Sequence, residues 1–242
     1  MFPPGMPWNS LSKGAVLGCP LEKTVIKWPQ TERKLPEMKD ESTWDLALKI
    51  QTAGRDDTGA DQHHHPYEPT PYCVLERLAD SGLIGEKDVV LDYGCGKGRV
   101  GFFLSHQTKA RTIGIEYDGR IYAGALENRE SAKVKPEFLL TRAEEYEVPE
   151  SVNRCYFFNP FTAEILHKVM ARILESWYEH PREILLLFYY PADEYIAWLM
   201  TVEELEFYDE IECDDLFQDD PRERILIFQL PDYGVGEETA DW

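Results

Sequence analysis

Residues 91–99 read Leu-Asp-Tyr-Gly-Cys-Gly-Lys-Gly-Arg, and this stretch decides the fold. The run that leads into it, residues 88–93, is short, β-branched and apolar, which predicts a strand. Behind the glycines, Val100, Phe103 and Leu104 recur at helical spacing. A strand that passes through glycines into a helix is typical of an open α/β sheet, which binds its ligands at the carboxyl ends of its strands.

The alternation of strands and helices continues through most of the chain. Apolar runs without interruption, such as 184–188, suit parallel strands that helices cover on both faces. The last two strands, 205–212 and 224–230, have too few residues between them for a crossover helix, so they predict an antiparallel hairpin. Further strands are predicted over 112–116, 137–140, 154–158 and 183–190, and helices over 119–131, 163–177 and 193–200.

This pattern predicts a principal domain over residues 67–230. Residues 1–66 are rich in proline and polar side chains, with one predicted helix over 42–51, and are expected to form an N-terminal extension that is partly disordered or acts as a lid. A turn-rich, charged stretch at 54–65 predicts a mobile loop. Residues 231–242 carry turn formers and acids, which predicts a disordered acidic tail.

Composition narrows the class of protein. The chain has 25 Lys and Arg against 45 Asp and Glu, a net charge of −20, which opposes binding to nucleic acid. No apolar run approaches the roughly 18 to 20 residues of a membrane-spanning helix, so we expect no membrane partner. Five scattered cysteines favour reduced thiols and a cytoplasmic location.

The glycine loop predicts a ligand that contains a nucleoside. Gly94, Gly96 and Gly98 permit positive φ and lack a Cβ, so a ligand can lie against the backbone near a helix N-terminus. Asp92 precedes the loop, and Glu116 ends the next strand, where a carboxylate can accept hydrogen bonds from ribose hydroxyls. The spacing disfavours NAD, because the third glycine of the dinucleotide pattern would fall at Arg99, and the loop lacks the Lys-Ser/Thr ending of a phosphate loop.

With this loop the sequence resembles the class I S-adenosylmethionine (SAM)-dependent methyltransferases over about residues 67–230. The resemblance implies a Rossmann-like, doubly wound α/β sheet of seven strands, mostly parallel, whose antiparallel last strand lies between the fifth and sixth. It implies SAM as the cofactor, with Asp92 on the SAM amino group and Glu116 on the ribose. The loop residues Gly94, Cys95, Gly96 and Gly98 would lie against the methionine part, with Cys95 present for its small size.

The end of the fourth strand, residues 157–161, reads Phe-Phe-Asn-Pro-Phe and resembles the family's fourth motif. In relatives that methylate nitrogen, this element accepts hydrogens from the target NH2 group. Asn159 is therefore the predicted acceptor of these hydrogen bonds, next to both cofactor and substrate, and Phe161 is the predicted stacking wall. Because Phe161 replaces the motif's second proline, an alternative is that Asn159 and Pro160 simply start a helix.

The proline-rich stretch 65–72 predicts a lid. It resembles the Thr-Pro element with which some relatives cover SAM, which makes Tyr67 and Thr70 candidate cofactor contacts. The alternative is that Pro69 and Pro71 start a helix and Tyr72 packs in the core. After the third strand, where relatives carry an acid for adenine, the chain has Arg142, so that role falls to Glu144 or to the backbone.

The three consecutive histidines at 63–65 cannot converge on one ion without further ligands, so no metal site is predicted. The sequence thus predicts a SAM-dependent methyltransferase whose unidentified acceptor is a nitrogen of a protein or small molecule. Three alternatives stay open: an adenine amino methyltransferase of nucleic acid, a non-catalytic SAM-binding regulatory module and an NAD-dependent oxidoreductase.

Overall fold

A computed structural model of the protein describes residues 41–58 and 64–233. In this part of the chain a seven-stranded sheet has the order β3-β2-β1-β4-β5-β7-β6, with β7 antiparallel to both neighbours. The strands are β1 Val89–Tyr93, β2 Arg111–Glu116, β3 Glu137–Leu140, β4 Arg154–Phe158, β5 Ile184–Tyr189, β6 Glu206–Glu212 and β7 Arg224–Leu230. The predicted Rossmann-like α/β class, with its reversed last strand between the fifth and sixth, is confirmed.

Helices cover both faces of this sheet. They are α1 Glu41–Leu48, α2 Tyr72–Asp80, α3 Arg99–Thr108, α4 Gly119–Ser131, α5 Ala163–Glu179 and α6 Asp193–Leu199. Side chains alternate across the strands, so Val90 and Tyr156 join one core with Phe103, while Leu91 and Phe157 join the other core. Burial on both faces explains the uninterrupted apolar runs.

The segment before the sheet packs on the first core. The predicted helix over 42–51 forms as α1, which ends earlier, at Leu48. Trp44 lies edge-on to Phe103, with ring centroids 4.9 Å apart, and its Nε1 donates to Glu76 at 2.8 Å. Leu46, on the opposite side of this helix, points outward with 80% exposure.

Several expectations concern residues that the structure leaves undescribed. Residues 1–40, the stretch 59–63 with His63, and residues 234–242 of the predicted acidic tail lie outside the described residues. Within the described part of the 54–65 stretch, Asp56 forms an antiparallel bridge with Tyr67. Across residues 41–58 and 64–233, no helix combines the length and apolar composition needed to cross a bilayer.

The sheet order places the ligand crevice. β1 lies between β2 and β4, so the chain leaves β1 toward one edge of the sheet and later returns to its other side at β4. Such a reversal opens a crevice at the carboxyl ends of the two central strands. The glycine loop follows β1 and the Asn159 turn follows β4, so both lie at this crevice.

Candidate active site

A cavity of about 630 Å³ lies at the carboxyl ends of the central strands. We call its part at β1 and β2 the cofactor half, lined by Asp92, Gly94, Cys95 and Glu116. We call its part at β4, β5 and β7 the acceptor half, lined by Phe158, Asn159, Phe161, Tyr189, Tyr190 and Glu223. Tyr67 and Thr70, from the segment before α2, line the same cavity.

The glycine loop turns sharply between β1 and α3. The φ angles of Gly94, Gly96 and Gly98 are 73°, 57° and 87°, a region that side chains other than glycine adopt only with strain. The Gly94 and Cys95 N–H groups both donate to the Ile115 carbonyl, at 3.0 and 2.9 Å, which fixes the loop to the end of β2. The loop backbone thus lies open to the cavity at Gly94 and Cys95.

The other two glycines pack against side chains instead of lining the cavity. A Cβ at Gly96 would lie 2.2 Å from Tyr67 Cε2, and one at Gly98 would lie 2.4 Å from the Phe138 ring. Gly96 and Gly98 therefore shape the loop, whereas Gly94 and Cys95 are the loop residues that a bound ligand meets.

Asp92 presents a buried carboxylate to the cofactor half. Asp92 is 3% exposed, and its Oδ2 has no hydrogen-bond partner among the described residues. Burial, with a smaller contribution from the charge of Glu116, raises the pKa of Asp92 to about 8. A buried carboxylate without a partner is costly, so a cationic ligand group in the cavity would complete it.

Glu116 is held by the backbone around it. One carboxylate oxygen accepts from Gly96 N at 3.0 Å, and the other accepts from Tyr117 N and Asp118 N, each at 2.9 Å. Burial raises the pKa of Glu116, and these three donors oppose the rise. A carboxylate has about four lone-pair sites, so at least one remains for a ligand hydroxyl.

Asn159 occupies a strained turn after β4. Its φ is 42°, and its carbonyl lies 2.6 Å from Nδ1 of His65, which donates to it. Its side-chain Oδ1 is buried without a hydrogen-bond partner among the residues described. The interpretation of Asn159 and Pro160 as a helix start is wrong, because α5 begins at Ala163 and the residue that precedes it is Thr162.

Phe161 forms part of the cavity wall. It is 2% exposed, its ring lies edge-on to Phe157 at 6.4 Å, and its carbonyl accepts from the Tyr195 hydroxyl. His64 pairs with it as an isolated antiparallel bridge. The segment before α2 therefore contacts the acceptor half as well as the glycine loop.

Tyr67 and Thr70 differ in how they meet the cavity. The Tyr67 ring lies against Gly96, and its hydroxyl donates to the Thr52 carbonyl at 2.5 Å. Thr70 is 2% exposed and its hydroxyl bonds the Tyr156 hydroxyl at 3.0 Å, so its polar group is directed at β4. The alternative interpretation of this stretch also holds in part, since α2 begins at Tyr72, which is 1% exposed.

Arg99 is a residue of the site whose role the sequence analysis missed. It is 3% exposed, its Nε donates to Thr52 Oγ1 at 2.7 Å, and one terminal nitrogen donates to Glu41 and to the Thr70 carbonyl. Asp45 completes the cluster by accepting from the Thr52 hydroxyl at 2.6 Å. An arginine directly after the glycines was the available signal, but its partners lie far away in sequence.

Glu144, a candidate contact for adenine, does not line the cavity. Thr141 and Ala143 line the cavity, whereas Arg142 and Glu144 are not among its lining residues and lie 3.8 Å apart as an ion pair. The histidines also have partners: His64 stacks on Tyr117 with ring centroids 3.8 Å apart. In the described ranges, no three His, Cys, Asp or Glu side chains are grouped to hold a metal ion.

Comparison with known proteins supports a methyltransferase domain. Residues 90–182 match the family model described as a methyltransferase domain. A curated protein-lysine N-methyltransferase of Saccharolobus islandicus (strain REY15A) is 29% identical over 86 residues, which cover 35% of this chain and 53% of the relative. The matched region thus spans about half the length of that relative.

Solved structures share the fold. An RNA methyltransferase from Salinibacter ruber, in complex with S-adenosyl-L-homocysteine, has a TM-score of 0.50 at 18% identity and covers 72% of this chain and 100% of its own. StiE O-MT has a TM-score of 0.50 at 11% identity and covers 68% of this chain and 75% of its own. At such identities the likeness concerns the fold alone.

The site fits the cofactor that the sequence predicted. The unpartnered Oδ2 of Asp92 suits the SAM amino group, the free lone-pair site of Glu116 suits a ribose hydroxyl, and the exposed backbone at Gly94 leaves room beside them. The methyltransferase match begins within β1 and ends before β5, so it covers the first four strands of the sheet and the helices between them. Residues 90–182 thus match a methyltransferase domain, and in its glycine loop and strand order the chain resembles the class I SAM-dependent methyltransferases.

Proposed function

We propose that the protein transfers the methyl group of SAM to a nitrogen nucleophile on a protein or small molecule. The observation that carries this proposal is the pair of unpartnered buried oxygens, Asp92 Oδ2 and Asn159 Oδ1, on either side of one cavity. The first oxygen suits a cationic amino group of the cofactor. The second suits an N–H group of the acceptor.

On the cofactor side, the chain's residues bind and orient. Asp92 accepts from the amino group, Glu116 accepts from the ribose, and the backbone of Gly94 and Cys95 forms the floor. SAM supplies an electrophilic methyl group on a sulfonium. Because the reaction needs the nucleophile aligned with that methyl group, positioning supplies much of the acceleration.

On the acceptor side, Asn159 accepts one hydrogen of the target nitrogen and so turns its lone pair toward the methyl group. Phe161 is proposed as a stacking wall. The aromatic rings of Phe158 and Tyr189, with centroids 4.6 Å apart, continue this wall along β4 and β5. A methyl group with partial positive charge is attracted to such rings.

The charge of the cavity favours a protein or small molecule over nucleic acid. Its lining includes the carboxylates of Asp56, Glu68, Asp92, Glu116, Asp118 and Glu223 but the guanidinium groups of only Arg55 and Arg99. A phosphate backbone would be repelled there. The relative named as a protein-lysine N-methyltransferase supports a protein nitrogen.

The test combines calorimetry with transfer of a labelled methyl group from SAM to cell extract separated into protein, RNA and small-molecule fractions. We expect SAM to bind and label to enter the protein or small-molecule fraction. Asn159→Ala should lower kcat about 100-fold while SAM affinity changes little, because a misplaced nucleophile reacts slowly. Asn159→Asp keeps an acceptor oxygen and is the matched control.

Each alternative has its own outcome. Label that enters RNA alone would favour the adenine amino methyltransferase. SAM binding without transfer to any fraction would favour the regulatory module. An Asn159→Ala protein with unchanged kcat would remove Asn159 from the mechanism.

A further inference from the structure

Several carboxylates lie at the outer edge of the acceptor half, where β5 ends beside the start of β7. We call this edge, with Glu68, Tyr190 and Glu223, the rim. Tyr190 N donates to the Arg224 carbonyl at 3.0 Å, which places Glu223 beside the Tyr189–Tyr190 turn. The Tyr189 hydroxyl donates to Glu223 at 2.5 Å, so this carboxylate is held at the rim in one orientation. Glu68 reaches the same rim from the segment before α2.

The charge of this rim is not balanced. Arg55 lies 2.8 Å from Asp57 and 3.2 Å from Glu68, and Arg222 lies 2.9 Å from Asp220. Each arginine thus pairs with an aspartate, and Arg55 is shared between Asp57 and Glu68. Together with Glu223, these neighbours comprise four carboxylates and two guanidinium groups, a net charge of −2 when all are ionised, and Glu68 and Glu223 line the cavity.

The rim also offers aromatic surface to a cation. The Arg222 guanidinium lies 5.0 Å from the centroid of the Tyr190 ring, so this ring already holds one positive group. From Tyr190 the rings continue to Tyr189, with centroids 6.3 Å apart, and then to Phe158, 4.6 Å from Tyr189. An aliphatic stem can lie along such rings while its charged end stays near carboxylates.

We infer that the acceptor is a primary aliphatic amine of the lysine type, attracted as an ammonium ion by Glu68 and Glu223 and passed along the aromatic wall to Asn159. This inference rests on the proposed function and deepens it by naming the substrate class. Neither an amide nor a nucleobase carries the positive charge that the rim selects. A guanidinium group carries the charge but has no nucleophilic lone pair to compare with that of an amine.

The reaction balances without any further reactant. The ammonium ion first gives one proton to solvent and becomes a neutral amine. Its nitrogen lone pair then forms a bond to the methyl carbon while the bond from that carbon to sulfur breaks, and the electron pair stays on sulfur. The products are S-adenosyl-L-homocysteine and a methylammonium group that keeps its positive charge at neutral pH, so one proton is released for each methyl group transferred.

The experiment uses the full chain and five probes: a short peptide with one lysine, the same peptide with acetyl-lysine, the same peptide with glutamine, free butylamine and a single-stranded oligonucleotide. We expect labelled methyl on the lysine peptide, butylamine or both, and none on the three neutral or anionic probes. Transfer to the peptide but not to butylamine identifies a protein lysine, and the reverse identifies a small amine. The KM for the amine should rise with added salt.

Variants test the carboxylates directly. Glu223→Gln keeps an oxygen for the Tyr189 hydroxyl, so the fold is retained, and the KM for the amine should rise about tenfold. Glu68→Gln should act in the same direction. The SAM dissociation constant should stay within about twofold in both, as should the KM of the control Glu179→Gln, an exposed acid at the end of α5.

The outcomes separate this inference from the proposed function. If SAM fails to bind the wild-type chain, both are overturned. If SAM binds but methyl enters the acetyl-lysine or glutamine peptide or the oligonucleotide instead, only the amine inference is overturned. The same holds if SAM binds and neither amine is methylated, or if Glu223→Gln and Glu68→Gln leave the KM of the amine unchanged.

Discussion

In the cofactor half of the cavity, most of the lining comes from the end of β1 and the loop that follows it. In the acceptor half, residues as distant in sequence as Glu68 and Glu223 line the same rim. The cofactor half places its turns on glycines, as at Gly94, which adopt positive φ without strain. In the acceptor half, Asn159 and Tyr190 adopt φ of 42° and 48° at the ends of adjacent strands.

This difference shows how the two tasks of the site are divided. A shared cofactor demands a fixed cradle, which a short local motif can encode. An acceptor differs from one enzyme to another, so its pocket is assembled from several elements. Left-handed backbone at a side-chain-bearing residue costs on the order of 1 kcal/mol, and such strain is concentrated at functional sites. We therefore expect the strained residues Asn159 and Tyr190 to take part in selecting the substrate.

The largest effect on stability and on SAM binding should come from adding a side chain to the glycine loop. Gly96→Ala puts a Cβ into the Tyr67 ring and onto a φ of 57°, so we expect a loss of about 2–4 kcal/mol in stability together with weaker SAM binding. Thermal unfolding and calorimetry measure both. The control is Gly119→Ala, whose Cβ would meet only an ordinary contact with Leu140 at 3.8 Å. Equal stability of the two variants would show that the glycine loop can adjust to a side chain at Gly96.

The next effect separates the halves directly. Asp92→Asn removes the charge that completes the cofactor site, so the SAM dissociation constant should rise by about 10- to 150-fold, or 1.5–3 kcal/mol. The kcat measured at saturating SAM should change little, whereas Asn159→Ala should lower kcat and leave the SAM dissociation constant little changed. If both variants weaken SAM binding equally, the division into halves is wrong.

A smaller effect concerns pH. In the free protein the pKa of Asp92 is raised to about 8, and a cation beside the carboxylate would lower it, so SAM binding releases a proton below pH 8. Affinity for SAM should therefore rise about tenfold from pH 6 to pH 7 and then level off near pH 8. Calorimetry in buffers of different ionisation enthalpy measures the proton released. Asp92→Asn should abolish this dependence; its persistence in that variant would assign it to another group.

The smallest expected effect is on stability, at Thr70, which lines the cavity but directs its hydroxyl at Tyr156. Thr70→Val removes the hydrogen bond to the Tyr156 hydroxyl, so stability should fall by about 1 kcal/mol while the SAM dissociation constant stays within about twofold. Denaturant unfolding and calorimetry supply the two numbers. A large loss of SAM affinity with unchanged stability would return Thr70 to the role of a direct cofactor contact.

Much of the cofactor half followed from the sequence because its signals are local. The glycines, Asp92 and Glu116 lie within 91–116, and the strand order is the one that the family resemblance implied. The sequence could not show that Gly94 lines the cavity while Gly96 and Gly98 are covered. The rings that cover them, Tyr67 and Phe138, belong to other elements. The outward direction of Leu46 likewise depends on how α1 packs on α3.

In the acceptor half the motif at 157–161 predicted Asn159 and Phe161, and the aromatic residues Phe158, Tyr189 and Tyr190 were expected near the pocket because they lie at strand ends. Glu68 and Glu223 lie in loops that read as ordinary solvated acids, and only the pairing of β5 with β7 brings Glu223 beside Tyr189. The same holds for Arg99, because the predicted helix over 42–51 gave no sign that Glu41, Asp45 and Thr52 would contact it. Such contacts arise from tertiary packing and leave no periodic trace in the chain.

The buried Arg99 cluster also sets the limits of any shortened version of the protein. A fragment that began at residue 67 would lose Glu41, Asp45 and Thr52 and leave a guanidinium in the interior without its carboxylates. Removing the partner of a buried charge costs about 3–5 kcal/mol, a large fraction of the stability of an ordinary domain. The smallest piece expected to fold alone therefore starts no later than Glu41, and tags or fusion partners belong upstream of that residue.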